Sequence, residues 1–364
     1  MEKLADWDEA WRYGYFDADE ASEYQCMQRN HERLRAFHVQ HQQRLGGHFY
    51  ITVVPRTLDL LSCSLRCLPS TTKLFLILNG LDEWEREHVR RRYPHLPACE
   101  LETEGTSILY DRVLDMLLET NSVDFGILDQ DCFVLDPSLL TRLRMRRNDF
   151  AISPFVTHNR AASIAFPRTY FLFFKVKTLQ SLRNQYRLSC KRCWTIPANI
   201  VQQLQALGFG YQNFPHDSMD YFDNFQLLWG IAMANGFTFL QPRQLRRWSR
   251  IRGRRFRVVH VGAGHNYLTD EWRDQMPARL AAYSELSQLD QEKLRAAAFC
   301  HYAHLVILEH SDDDELRQRY LPFFGNYEDS SGVLQQFGSV ISGPSREKME
   351  VLVQHLRRIG TSRG

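Results

Sequence analysis

The chain has 364 residues, 44% of them apolar and 24% charged, enough for a substantial folded core and too apolar for wholesale disorder. A net charge of +2 argues against a dedicated nucleic-acid binder, and no apolar run approaches the roughly 20 residues of a membrane span. The acidic, aromatic start has no signal-peptide core, so the expected location is cytoplasmic, with a peripheral place at a membrane left open.

Residues 1–47 read as a polar helical extension stopped by Gly46-Gly47. The pattern then changes to a β-rich run over 48–54, ending at Pro55. A helix over 57–68, capped by Thr57, follows. Residues 73–79 form a second buried strand, closed by Asn79-Gly80. A charged helix capped by Asp82 spans 82–93, and 99–103 is a short strand. Residues 105–120 are an amphipathic helix, and 123–128 another apolar strand. Apolar strands alternating with helices predict an α/β fold with a mostly parallel sheet covered on both faces. Ligands of such sheets bind beyond the carboxyl ends of the strands. The residues there are Pro55, Arg56 and Thr57, then Asn79, the turn at 104–106, and Asp129, Gln130 and Asp131. There is no GxGxxG and no GxxxxGK[ST], which removes the usual dinucleotide and P-loop readings.

Eight cysteines in a chain of this length are too sparse for a disulfide scaffold. Cys63 and Cys67 sit in the apolar sequence LDLLSCSLRCLP and read as small buried hydrophobes. Cys190 and Cys193 lack a companion pair at zinc-site spacing.

The segment 123–137, VDFGILDQDCFVLDP, carries the most chemistry. Asp129 and Asp131 stand two residues apart directly after a buried strand, so both point to one side of an extended backbone. Two carboxylates together repel, and a hard divalent cation with oxygen ligands relieves that cost. Two solvated acids in a loop are the plainer alternative. Position after an apolar strand of a parallel sheet weighs against it.

With these parts in order, the run from His48 to about Pro154 resembles the nucleotide-binding half of a GT-A-type glycosyltransferase. The matching pieces are FYITVVPR, KLFLILNG, GTSILYDRVLDMLLE and FGILDQDCFV. The resemblance implies Asp131 as a ligand of Mn2+ or Mg2+ and Asp129 as a ribose contact or second ligand. It implies a donor site at Pro55, Arg56 and Thr57 for the uracil and ribose, with Asn79, Ser107, Tyr110 and Gln130 around it. Tyr110 reads equally as a half-buried helix aromatic.

Residues 149–156 and the aromatic run 169–176 read as strands of the second half. The acids Asp217, Asp220 and Asp223 gather before an apolar helix over 225–234, where capping by one of them is expected. The resemblance assigns a catalytic base to such a position, with Asp223 first and Asp220 second. The familiar Glu-Asp pair of many inverting enzymes is missing. The strand over 255–260 ends in His260 before a glycine-bearing loop, and the resemblance implies His260 as third metal ligand, with His265 its rival. Carboxylates plus imidazole suit manganese better than calcium. The basic run from Arg243 to Arg257 is either a solvated face or an attraction for diphosphate, a phosphorylated acceptor or an anionic surface.

These readings divide the chain into an N-terminal extension (1–47), a catalytic domain (48–268, its halves 48–154 and 155–268) and a polar, helical C-terminal region (269–364). The implied function is metal-dependent, inverting transfer of a hexosyl or N-acetylhexosaminyl group from a nucleotide-diphosphate sugar, a UDP-sugar. The acceptor is unspecified: glycan, protein, natural product or lipid-linked. A turnover-less sugar- or nucleotide-binding module and a sugar nucleotidyltransferase are the alternatives. The second lacks its lysine-bearing first loop.

Overall fold

The structure is a computed structural model and describes residues 20–103, 107–141, 143–159, 164–190, 196–208, 225–243, 257–262, 267–325, 327 and 329–361. Strands β1 (His48–Val53), β2 (Leu74–Leu78), β3 (Ala98–Glu100) and β4 (Phe125–Leu128) are followed by β5 (Cys132–Val134), β6 (Asp149–Ile152), β7 (Val156–Asn159), β8 (Ile164–Pro167), β9 (Phe171–Phe174), β10 (Thr238–Leu240) and β11 (Val258–His260). Seven of them form one sheet in the order β10-β6-β9-β4-β1-β2-β3. Strand β1 pairs in parallel with β2 (Phe49 opposite Leu74) and with β4 (His48 opposite Phe125). Strand β9 runs antiparallel between β4 and β6. The sheet is thus mostly parallel, as the alternating pattern predicts.

Helices cover both faces. They are α1 (Glu20–Gln40), α2 (Leu58–Cys67), α3 (Glu83–Arg92), α4 (Tyr110–Thr120), α5 (Ser138–Thr141), α6 (Val176–Tyr186), α7 (Val201–Ala206), α8 (Gln226–Ala234), α9 (Asp270–Ala281), α10 (Gln288–Glu309), α11 (Asp314–Tyr320), α12 (Ser330–Phe337) and α13 (Gly343–Thr361). Side chains alternate across a strand. Phe49, Ile51, Val53, Leu74, Leu76 and Leu78 therefore enter one core with α2 and α10. Tyr50, Phe75 and Ile77 enter the other with α1, α4 and α8.

The C-terminal region corrects the expectation of a polar segment. Helix α10 is buried continuously from Ala297 to Leu308, because it packs on α2 and shares the first core. Each Leu, Ile or Val it buries contributes about 1.5–3 kcal/mol. Other boundaries also shift. Helix α4 begins at Tyr110, five residues later than predicted, because the preceding loop is held by Asn79. The strand predicted over 149–156 splits at Ser153, whose hydroxyl bonds the carbonyl of Phe155, into β6 and the hairpin strand β7 paired with β8. Asp82 caps α3 in a full capping box with Glu85. Thr57 occupies the N-cap position of α2 without a capping hydrogen bond, since its hydroxyl is directed elsewhere. Gly126 is required by close approach: a Cβ there would lie 2.2 Å from the ring of Phe49 on the neighbouring strand.

Candidate active site

Strand β4 delivers Asp129 to the carboxyl edge of the sheet. The backbone N–H of Asp129 donates to Tyr170 O at 2.9 Å, and Cys132 N–H closes a tight turn on Asp129 O at 2.9 Å. The chain then enters β5, which pairs antiparallel with β11 so that His260 faces Cys132. The ladder continues with Val261 N–H donating to Asp131 O at 3.1 Å. A residue from far down the chain is thereby set beside the acidic turn. Ligand atoms of Asp129, Asp131 and His260 lie within 4.8 Å of one another. His260 Nε2 lies 3.3 Å from Asp131 Oδ1. Two carboxylates and an imidazole converging so closely fit a divalent cation.

Neighbouring groups orient these three. Tyr110 Oη donates to Asp129 Oδ1 at 2.8 Å. Burial first, and then the charge of Asp129, push the Tyr110 phenol well above its ordinary value, so it stays a donor. The His260 ring stacks on Tyr170 with centroids 3.6 Å apart and planes at 11°, and Phe155 meets it edge-on. Lys348, on α13, donates from Nζ to the His260 carbonyl at 3.1 Å. Burial lowers the Lys348 amine and the charge of Asp131 opposes that shift.

The loop after β1 is joined to the acidic turn through Gln130. Its Oε1 lies 2.9 Å from Thr57 Oγ1 and 3.4 Å from Val54 N, while Thr57 Oγ1 also reaches Val54 O. Arg56 takes a left-handed backbone, φ 61°. Its N–H donates to Glu85 Oε1 at 2.6 Å, its Nη1 to Leu268 O at 2.6 Å, and its guanidinium lies over the Phe323 ring. Beside it a cleft of about 560 Å³ opens past the ends of β1, β2 and β3, lined by Pro55, Arg56, Gly80, Asp82, Arg319 and Phe323 among others. Glu85, in its wall, accepts from Tyr320 Oη at 2.6 Å. Burial raises the Glu85 carboxyl, and the hydrogen bonds from Tyr320 and from the backbone oppose it.

Asn79 and Ser107 meet each other. The Asn79 amide bonds both the N–H and the carbonyl of Ile108 at 2.8 Å, and Ser107 Oγ donates to Asn79 O at 3.1 Å. Gly80 has φ 76°, and a Cβ on it would fall 2.6 Å from Ser107 Oγ. The pair therefore holds the loop bordering the cleft.

Residues 25–179, from α1 into α6, match the family model of the StrH glycosyltransferase N-terminal domain. Over that stretch, less than half of its length, the chain is similar to a glycosyltransferase domain. The matched stretch contains the acidic turn and the loops after β1 and β2; His260 and the C-terminal helices lie beyond it. Among solved structures, the chain is similar to GlyE of Streptococcus pneumoniae TIGR4, with 12% identity over 81% of this chain and 64% of that one, and a TM-score of 0.33. It is also similar to the mannosyltransferase PcManGT of Pyrobaculum calidifontis, solved with GDP-Man and Mn2+, with 11% identity over 86% of each chain and a TM-score of 0.30. It thus covers 64% of the length of GlyE, just short of two thirds. No curated protein matches the sequence.

Of the residues singled out in the sequence, Asp217, Asp220, Asp223 and His265 lie outside the described residues, as do the basic run over 244–256 and Cys193. Phe225 holds the N-cap position of α8 with φ 64° and no side-chain bond, and the acids expected to cap that helix lie outside the described residues. Sequence reasoning missed Lys348, Arg319, Tyr320 and Phe323. All four come from the C-terminal region, where helical spacing alone carries no sign of a site two hundred residues or so upstream.

Proposed function

We propose that the protein is a metal-dependent glycosyltransferase that moves a hexosyl or N-acetylhexosaminyl group from a UDP-sugar to an acceptor with inversion. The observation that carries this reading is the convergence of Asp129, Asp131 and His260 within 4.8 Å at the carboxyl edge of the sheet, joined through Gln130 and Thr57 to the loop beside the cleft.

Asp131 and His260 would hold Mn2+ or Mg2+, and Asp129 would serve as second ligand or ribose contact, fixed in direction by Tyr110. A bound divalent cation supplies positive charge against the donor diphosphate. Pro55, Arg56 and Thr57 bound the nucleoside end, with Asn79 and Ser107 holding the adjoining loop. Asp223, or failing it Asp220, takes the proton of the acceptor hydroxyl. That oxygen attacks the anomeric carbon, the bond to the diphosphate breaks, and its electron pair leaves with UDP.

The test is UDP release from a panel of UDP-sugars, with and without Mn2+, by the full chain and by Asp131→Ala. Manganese-dependent release lost in Asp131→Ala is the expected result. Binding without release would make the protein a binding module. Full turnover by Asp131→Ala would remove Asp131 from the metal site. Asp223→Asn separates the base: kcat should fall sharply with donor affinity nearly intact.

A further inference from the structure

Helix α13 brings a cation to the acidic turn. Its register is fixed by Met349, Leu352 and Leu356, all buried in the core shared with the sheet. On the neighbouring position, Lys348 reaches the end of β11, where Nζ donates to the His260 carbonyl across 88 residues of sequence. An ammonium carries three N–H donors, and this carbonyl uses one.

The charge balance gives Lys348 a meaning. Asp129 and Asp131 together offset one divalent cation. Lys348, bonded to the His260 carbonyl, would then add a further positive charge, a like-charge cost beside the metal unless an anion lies between them. A nucleotide-sugar diphosphate is such an anion, and it gains one more negative charge as the glycosidic C–O bond breaks and the electron pair moves to the terminal phosphate oxygen. A donor at that oxygen strengthens as charge develops.

We propose that Lys348 is a diphosphate-binding residue of the donor site, supplied by the C-terminal helix. Its N–H groups donate to the phosphate oxygens, and no proton is transferred. The proposal rests on reading Asp129, Asp131 and His260 as the metal-diphosphate site. With Arg319, Tyr320 and Phe323 in the cleft wall, it makes the C-terminal helices part of both ends of the donor site.

The test compares the full chain with Lys348→Met and Lys348→Arg. Three affinities are measured by calorimetry: Mn2+ alone, UDP or GDP with Mn2+, and UMP with Mn2+. Loss of a charge-assisted hydrogen bond predicts roughly a tenfold or greater weakening of the diphosphates in Lys348→Met. Mn2+ alone should bind as well or tighter, UMP should change less, and Lys348→Arg should recover most of the loss. Lys348→Gln, also uncharged, is read the same way if the Met variant does not fold. Equal weakening of Mn2+ alone and of the diphosphates would leave Lys348 only a support for the His260 strand and overturn the proposal. Unchanged diphosphate affinity would overturn it too, with the donor site intact. A wild-type chain that binds neither UDP nor GDP would instead remove the donor-site reading on which it rests.

Discussion

His304 Nδ1 lies 2.6 Å from Asp59 Oδ2, with both side chains sealed from solvent. The contact ties α10 to α2, the helix that starts directly after the loop over 54–57. It thereby fixes the C-terminal layer to the strand end where the cleft opens. Removing one partner strands a buried charge, so Asp59→Ala or His304→Ala should each lose about 3–5 kcal/mol. Urea unfolding at pH 7 checks this. A double variant, with both residues replaced by apolar ones, should recover much of the loss. Losses under about 1 kcal/mol would show that the pair contributes little.

The same pair shapes the dependence of stability on pH. Burial alone would lower the His304 imidazole, but the charge and hydrogen bond of Asp59 override it and hold it up to about 10. A raised folded pKa stabilises fully below the unfolded value near 6.5 and ceases to do so as pH rises through about 10. His48 and His301 act oppositely, because burial depresses them to about 3 and about 4. Their contribution is present above about 6.5 and is lost as pH falls through those values. Thermal unfolding from pH 4 to pH 10 should therefore show a maximum near neutrality. Replacing His304 should flatten the alkaline limb selectively.

Gly126 and Phe49 face each other in register on β4 and β1. Since a Cβ at 126 would fall 2.2 Å from the Phe49 ring, Gly126→Ala should cost about 1–3 kcal/mol through overpacking. Adding Phe49→Leu should return part of it, because the ring is what the methyl meets. Chemical denaturation of the two variants decides this. Equal stability of Gly126→Ala and the wild type would mean that the sheet absorbs the methyl.

Local pattern made the first half of the sheet legible. Runs such as LFLIL and FGIL are buried on both faces, so continuous apolarity with turn residues at the ends identifies them. The acidic turn was legible for the same reason, because a strand's carboxyl end is a local feature. The short strands β5, β7, β8 and β10 were not, since three or four residues of irregular polarity carry no period. His260 could be nominated only as a strand end before a glycine-bearing loop. What joins it to Asp131 is the β5–β11 ladder, a pairing that no local pattern encodes. Lys348 lies further still from sequence reach. Helix α13 falls in the region that reads only as polar and helical, and its meaning comes from which strand end it lands on.

The Tyr110 phenol offers a test of the metal site that leaves every proposed ligand in place. Its hydroxyl donates to Asp129 Oδ1 at 2.8 Å and stays protonated at any working pH, because burial and the charge of Asp129 raise it. Tyr110→Phe removes only that donor, in a helix whose packing is otherwise kept. Loss of a group that orients a ligand typically weakens metal affinity by about 10–100-fold. Titration of Mn2+, followed by its paramagnetic resonance, should show a loss of that order, with the melting temperature little changed. If Tyr110 acted instead as a direct contact to the sugar donor, Mn2+ alone would bind unchanged and only the affinity for the UDP-sugar would fall. If it were merely a helix aromatic, neither affinity would move, and the direction of Asp129 would have to be set by the backbone of the turn.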